Sequence, residues 1–216
     1  MEKKVIHAAL LGFGTVGTGV YKVLKNQEEE MEAKLGSVVR IKKIMVRNLE
    51  KAAAKVEDPS VLTNNWEEIV NDPDIDIIIE LMGGIEPART CILEALEAGK
   101  HVVSANKDLI AVYGKELLDT AETHQVDFLF EAAVAGGIPI IRPLKQCLAG
   151  NHMKEVMGIV NGTTNFILTK MTQDKMEFKE ALALATELGY AEADPTADIE
   201  GLDAGRKVAI LASVAF

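Results

Sequence analysis

The residues best equipped for chemistry crowd into one stretch, Glu192 to Lys207, which reads EADPTADIEGLDAGRK. Five carboxylates (Glu192, Asp194, Asp198, Glu200, Asp203) precede Arg206 and Lys207, and apolar sequence follows at once. Asp203 and Lys207 are four apart, so on a helix they share a face. A lysine held beside a carboxylate at the mouth of an apolar helix could belong to a substrate site. The plain alternative is a surface ion pair worth about 0.5 kcal/mol. Glu192 and Asp198 lie just upstream on a loop that contains Pro195. A metal centre is the poorer reading, because the spacing fits no EF-hand loop and the four histidines are scattered along the chain.

A second constellation is GFGTVG, with Gly12, Gly14 and Gly17 directly after an apolar run. The first glycine permits a tight turn, the second lets backbone approach a pyrophosphate, and the third allows close strand–helix packing. The alternative is a glycine-rich turn with no ligand. At the end of the next apolar run stands Arg47, with no acid until Glu50. A cation there suits a 2′-phosphate, so the sequence favours NADP over NAD, the alternative being a solvated Arg47 and either cofactor. Lys107 in SANK ends another apolar run, where a surface lysine and one beside a nicotinamide are equally open readings. Glu131 begins EAAVAGGIP, whose small residues could present carbonyls to a cation or a substrate, or simply make a tight connection. In NGTTNF, Thr163 or Thr164 is expected to cap a helix, whose first N–H groups could equally hold an anion.

These residues need elements to position them. Strands are expected at 5–12, 39–46 and 75–84, then in HVVSANK and DFLFEAAVAGG, with helical segments between. One helix from Val16 to about Gln27 could run on through EEEMEAK. Strands alternating with helices mean βαβ units and a parallel sheet. The reading is α/β: a Rossmann-type doubly wound parallel sheet over residues 1–149, then a partial α+β substrate and dimerisation domain over 150–216. In that second part, KEVMGIV is expected as a strand and three helices follow, the last being GLDAGRKVAILASVAF.

The 216 residues suffice for one or two packed domains, and 48% hydrophobic with 26% charged residues is ordinary for a globular protein. A formal net charge of −10 argues against nucleic acid or an anionic membrane as partner, since both reward a basic face. Cys91 and Cys147 form no disulfide framework, which points to a reducing, cytoplasmic setting. No apolar run approaches the roughly 18 residues of a membrane span.

Taken together, LLGFGTVGTGV, ELMGG, HVVSANKDL, EAAVAGGIPII, GIVNGTTNFIL and LGYAEADPTADIEGLDAGRK resemble the homoserine dehydrogenase family along the whole chain. The last segment is the most specific. The resemblance implies reversible NAD(P)-dependent conversion of L-homoserine to L-aspartate 4-semialdehyde, on the route to threonine, methionine and isoleucine. It implies that Glu192 and Asp203 engage the substrate, with Asp198 in support. Lys207 would be the general acid/base and Lys107 the second lysine of the site. It implies nucleotide contacts from Phe13, Thr15, Val16, Arg47 and Lys107 beside the three glycines. It also implies a monovalent cation, sodium, held by Glu131 and the carbonyls of Val134, Gly136 and Ile138, and a homodimer or higher homo-oligomer in the full-length protein.

Members of the family continue well past this point, so the chain reads as truncated, with an apolar face of its last helix left exposed. Two competing readings follow. One is a cofactor-binding fragment with little turnover. The other is a relative of aspartate-semialdehyde dehydrogenase, which would need a nucleophilic cysteine.

Overall fold

The apolar run VIHAALL forms β1 (Val5–Leu11). Its Ala8, Ala9, Leu10 and Leu11 are wholly buried in the computed structural model, which describes residues 5–192 and 194–216. A strand buried on both faces must be central to its sheet. It pairs in parallel with β2 (Val38–Met45) on one side and β4 (Ile77–Glu80) on the other. The sheet is completed by β3 (Leu62–Thr63), β5 (His101–Ser104) and β6 (Phe128–Leu129), in the order β3-β2-β1-β4-β5-β6, every pair parallel. The chain reverses direction across the sheet between β1 and β4, so a crevice opens beyond their C-terminal ends, where α/β folds of this kind bind ligands. The doubly wound sheet read from the sequence is therefore present.

The connecting helices are α1 (Thr15–Asn26), α2 (Glu28–Leu35), α3 (Leu49–Ala53), α4 (Glu67–Val70), α5 (Ala88–Glu97) and α6 (Lys107–Thr123). The helix expected from Val16 to about Gln27 is α1; it does not run on through EEEMEAK, which forms α2, because Gln27 leaves helical geometry at φ −116°, ψ 22°. Glu28, Glu29 and Glu30 then occupy the first turn of α2, where the positive end of a helix favours carboxylates. Helix α5 buries Ala88, Cys91, Ile92, Ala95 and Leu96, one continuous stripe at helical spacing. Ile92 and Leu96 are fully buried, worth roughly 1.5–3 kcal/mol each, and Gly99 at φ 75° ends the run.

Two compact units divide between Ala133 and Val134, ahead of the break expected near residue 149. The stretch between those two points carries the turn Pro143–Cys147, which packs on α10 (Leu202–Ala215) and so belongs with the second unit. That unit also contains α7 (Gly162–Gln173), α8 (Phe178–Glu187) and α9 (Thr196–Ile199). Ile167 of α7 and Ala181 and Ala185 of α8 form its core with Ala191, flanked by Phe166 and Met176. The strand expected in KEVMGIV is not formed: residues 152–160 carry no ladder, and Met157 and Ile159 are 83% and 77% exposed. The described residues of the second unit hold no strand, so within that unit this segment has no ladder to join. Among the described residues no helix is long and apolar enough to cross a membrane.

Candidate functional site

The three glycines of GFGTVG divide their work. Gly12 has φ 98°, its N–H donates to the Met45 carbonyl at 3.0 Å, and a β-carbon on it would lie 2.7 Å from the Leu81 carbonyl oxygen. A β-carbon on Gly17 would collide with the Gly12 carbonyl oxygen. Gly14 faces open space, with nothing within 4 Å of an added β-carbon. The first and third positions are closed by packing; the second is open. Helix α1 begins just beyond, with no side-chain cap and no acid in its first turn, an arrangement suited to a phosphate. The Phe13 ring is buried edge-on against Tyr21, 5.6 Å between centroids, so this residue offers its backbone to a ligand. Thr15 and Val16 are exposed at the helix start.

A cavity of about 770 Å³ opens from this loop, lined by Gly12, Gly14, Arg47, Asn48, Lys51 and Lys55 among others. Asn48 caps α3 by accepting from the Lys51 N–H at 2.8 Å. Lys55 reaches the Phe13 carbonyl at 3.5 Å and stands 5.9 Å from the Phe13 ring centre. Arg47 therefore shares its wall with two further cations that the sequence reading passed over. Their signal was present: Arg47, Lys51 and Lys55 recur every fourth residue.

Behind the neighbouring turn lies a buried polar chain, also missed. Glu80, at the end of β4, is fully buried. Its Oε1 accepts from the N–H groups of Met82 and Gly83 at 2.8 and 3.3 Å, and its Oε2 from Ser104 Oγ at 2.7 Å. Ser104 Oγ accepts from the Asn106 N–H at 3.0 Å, and Asn106 Nδ2 donates to the Gly84 carbonyl at 2.6 Å. Asn106 Oδ1 also caps α6, accepting from Leu109 N–H at 3.3 Å. This network fixes the Gly83–Gly84 turn and the start of α6. Lys107 is thus the first residue of that helix, with its Nζ 4.0 Å from Asp108 Oδ1.

Glu131 starts a short 3-10 turn at the end of the first unit, while Val134, Gly136 and Ile138 belong to the second. Ala135 and Gly137 adopt left-handed φ values of 54° and 83°, and the Ile138 N–H donates to the Ala135 carbonyl at 2.7 Å. Among the described residues no group of three or more His, Cys, Asp or Glu side chains could hold a metal. A carboxylate and backbone carbonyls are hard oxygen donors, a set whose chemistry suits sodium and not zinc.

The second unit gathers the acidic stretch around Asn161. Lys207 Nζ donates to Asp203 Oδ2 at 2.6 Å and to the Val160 carbonyl at 2.7 Å. Asn161 Nδ2 donates to Asp203 Oδ2 at 2.9 Å and to Asp198 Oδ1 at 2.7 Å. The expected threonine caps are corrected: Asn161 Oδ1 caps α7, accepting from the Thr164 N–H and hydroxyl at 2.8 Å each, while Thr163 donates to the Tyr190 carbonyl at 2.7 Å. Among the described residues, hydrogen bonds join Asp198, Asp203 and Lys207 and do not reach Glu192, which is exposed on the loop ahead of α9. Asp194 makes a local turn with Thr196, whose hydrogen bonds hold its carboxyl below the usual range. The helix carrying Lys207 exposes Leu202 and Val208, and Phe216 just past its end is exposed as well. Cys91 is buried in α5, and burial pushes its thiol up to about 11, the opposite of an activated nucleophile.

Residues 12–131 match the family model described as "Homoserine dehydrogenase, NAD binding domain", and residues 139–216 that described as "Homoserine dehydrogenase". The homoserine dehydrogenase of Bacillus subtilis is 50% identical over 99% of this chain, which covers 49% of that protein. A crystal structure of a homoserine dehydrogenase from Thiobacillus denitrificans matches with a TM-score of 0.93 at 49% identity, over 99% of this chain and 49% of that one. A hyperthermophilic archaeal homoserine dehydrogenase in complex with NADPH matches with a TM-score of 0.84 at 28% identity, over 98% of this chain and 70% of that one. The chain spans about half the length of the curated relatives it matches. It belongs to the homoserine dehydrogenase family.

Proposed function

We propose that the chain carries the cofactor site and the proton-transfer group for reversible interconversion of L-homoserine and L-aspartate 4-semialdehyde, the step leading toward threonine, methionine and isoleucine. The observation that carries the reading is Lys207. Two of its three N–H bonds are taken by Asp203 and the Val160 carbonyl, leaving one to meet a substrate oxygen among the described residues. In the reducing direction an alkoxide develops on the substrate; the fixed ammonium stabilises that charge and donates the proton. In the oxidising direction the same nitrogen, deprotonated, accepts the proton from the hydroxyl. Asp203 and Glu192 are assigned to the substrate ammonium, with Asp198 in support. The nicotinamide, when bound, supplies or accepts the hydride. The chain's own part is to hold the dinucleotide: the Gly12–Gly17 loop takes the pyrophosphate, and Lys107 lies at the strand edge assigned to the nicotinamide end.

Arg47, Lys51 and Lys55 give the cavity a cationic wall, which supports NADP over NAD. The NADPH complex of the archaeal relative agrees with that preference. Glu131 with the carbonyls of Val134, Gly136 and Ile138 would hold a sodium ion, which would neutralise the carboxylate and brace the turn. A cytoplasmic setting and a homodimer or higher homo-oligomer in the full-length protein complete the reading. Homoserine-dependent reduction of NADP by this chain, followed at the nicotinamide absorbance, is the test. Turnover with homoserine supports the reading, and its absence beside tight NADP binding favours cofactor binding without turnover.

A further inference from the structure

Asn161 is 7% exposed and uses its whole hydrogen-bonding capacity. Its orientation is forced. The Thr164 N–H can only donate, so the atom facing it at 2.8 Å must be the amide oxygen. The nitrogen therefore faces the carboxylates, spending one N–H on Asp198 at 2.7 Å and the other on Asp203 at 2.9 Å. The oxygen it holds on Asp203, Oδ2, is the one that accepts from Lys207. The backbone just before it, at Val160, supplies the second acceptor for the lysine. Among the described residues, the charged side chains that these hydrogen bonds join are Asp198 from α9 and Asp203 and Lys207 from α10, while the neutral Asn161 caps α7 and Thr164 lies in its first turn. One neutral side chain thus ties three helices together at the point where proton transfer is assigned.

We propose that Asn161 is the positioning residue of this site: its amide holds Asp198 and Asp203 side by side and so sets where Lys207 presents its remaining N–H. This rests on the role given to Lys207 above, yet its placement of the two carboxylates can be tested apart from turnover. A helix cap alone does not require an amide, since Asp caps as well as Asn. The informative variant is therefore Asn161→Asp. It keeps volume and cap, removes both N–H donors, and sets a third carboxylate against Asp198 and Asp203. Like charges at that distance make the added acid hold its proton more tightly in the folded chain than in the unfolded one. Its stability is then full at acid pH and lost as pH rises through the folded value.

The experiment measures three properties of Asn161→Asp against the unsubstituted chain. Thermal midpoints should coincide at acid pH and separate as pH rises. The NMR resonance of the Lys207 side chain, assigned by its loss in Lys207→Arg, should move. Where the unsubstituted chain turns over, kcat should fall about a hundredfold, with a smaller change in the homoserine KM. A variant with the parent's pH dependence of stability and an unmoved Lys207 resonance would reduce Asn161 to a helix cap and overturn the proposal. If Asn161→Asp fails to fold, Asn161→Ser, which also caps but cannot bridge two carboxylates, takes its place with the resonance and kcat readouts. An unmoved resonance and parental kcat would again overturn it. Absence of turnover in the unsubstituted chain would count against the functional reading and leave the stability and NMR results to decide the role of Asn161.

Discussion

Lys207 Nζ sits 2.6 Å from Asp203 Oδ2, one helical turn away on α10, and their side chains are only 20% and 12% exposed. Surface pairs at this spacing are solvated and contribute little. This one is partly desolvated, is tied to a backbone carbonyl and shares an amide with Asp198. Lys207→Ala should therefore remove a positioned proton carrier, lowering turnover by roughly 10²–10⁴. NADP affinity should stay near the parent value, because the cavity assigned to the dinucleotide is lined by the first unit. Steady-state kinetics beside fluorescence titration of NADPH checks both halves. Full turnover in the variant would move the role to Lys107.

The three glycines give a graded expectation. Gly17→Ala pushes a methyl group into the Gly12 carbonyl, and Gly12→Ala places one at the Leu81 carbonyl on a backbone with φ 98°. Both should lower the thermal midpoint as well as cofactor affinity. Gly14→Ala meets nothing within 4 Å, so it should fold as the parent does and lose affinity alone, because its methyl group occupies the approach to the pyrophosphate. Thermal melts with and without NADP separate the two classes. A Gly14→Ala chain that binds NADP normally would place the pyrophosphate elsewhere.

Arg47, Lys51 and Lys55 share one cavity wall. If they meet a 2′-phosphate, replacing Arg47 by Asp or Lys51 by Ala should weaken NADP by about tenfold or more, one charge-assisted hydrogen bond being worth about 1.5–3 kcal/mol. NAD, which lacks that phosphate, should change far less. Affinities for both cofactors at two salt concentrations would show it, with the NADP loss shrinking at high salt. An unchanged NADP/NAD ratio in Arg47→Asp would end the assignment.

Glu80 is an acid inside an otherwise apolar strand, and its carboxylate accepts from Met82, Gly83 and Ser104. Glu80→Leu would leave these donors without their partner, each at a cost of about 1–3 kcal/mol where it stays buried. The variant should melt well below the parent. Glu80→Gln, which can still accept through one oxygen, should lie between them. Equal melting of all three proteins would mean that water or rearrangement replaces the network.

Periodicity and glycine spacing made the sheet legible, because β1 and β4 are short apolar runs, α5 buries a stripe at helical spacing, and Gly12 and Gly17 sit where backbone packs closely. Asp203 and Lys207 were legible for the same reason, being one turn apart on a single helix. Asn161 was not, since its partners lie far along the chain and only the fold brings α7, α9 and α10 together. Glu80 escaped notice because strand periodicity says nothing about which polar atoms a turn leaves to be satisfied. KEVMGIV failed differently: strand propensity is local, whereas a strand exists only with a neighbour to bond, and the described residues of the second unit hold no other strand.

Helix α6, which begins at Lys107, is also held at its middle by α5. Arg89 of α5 donates through Nε to Glu116 of α6 at 2.8 Å and stacks 4.8 Å from the Tyr113 ring centre. The hydrogen bonds from Arg89 hold the Glu116 carboxyl below its ordinary value of 4.5. An acid whose folded value is depressed stabilises the fold above its ordinary range and loses that contribution as pH falls through the folded value. Replacing Glu116 by Gln should therefore lower the thermal midpoint near neutral pH, and the gap should close as pH drops below the usual carboxylate range. Added salt should narrow the neutral-pH gap as well, because the pair is partly exposed. A gap that is constant with pH would mean that packing against Tyr113, not the charge on Glu116, joins the two helices.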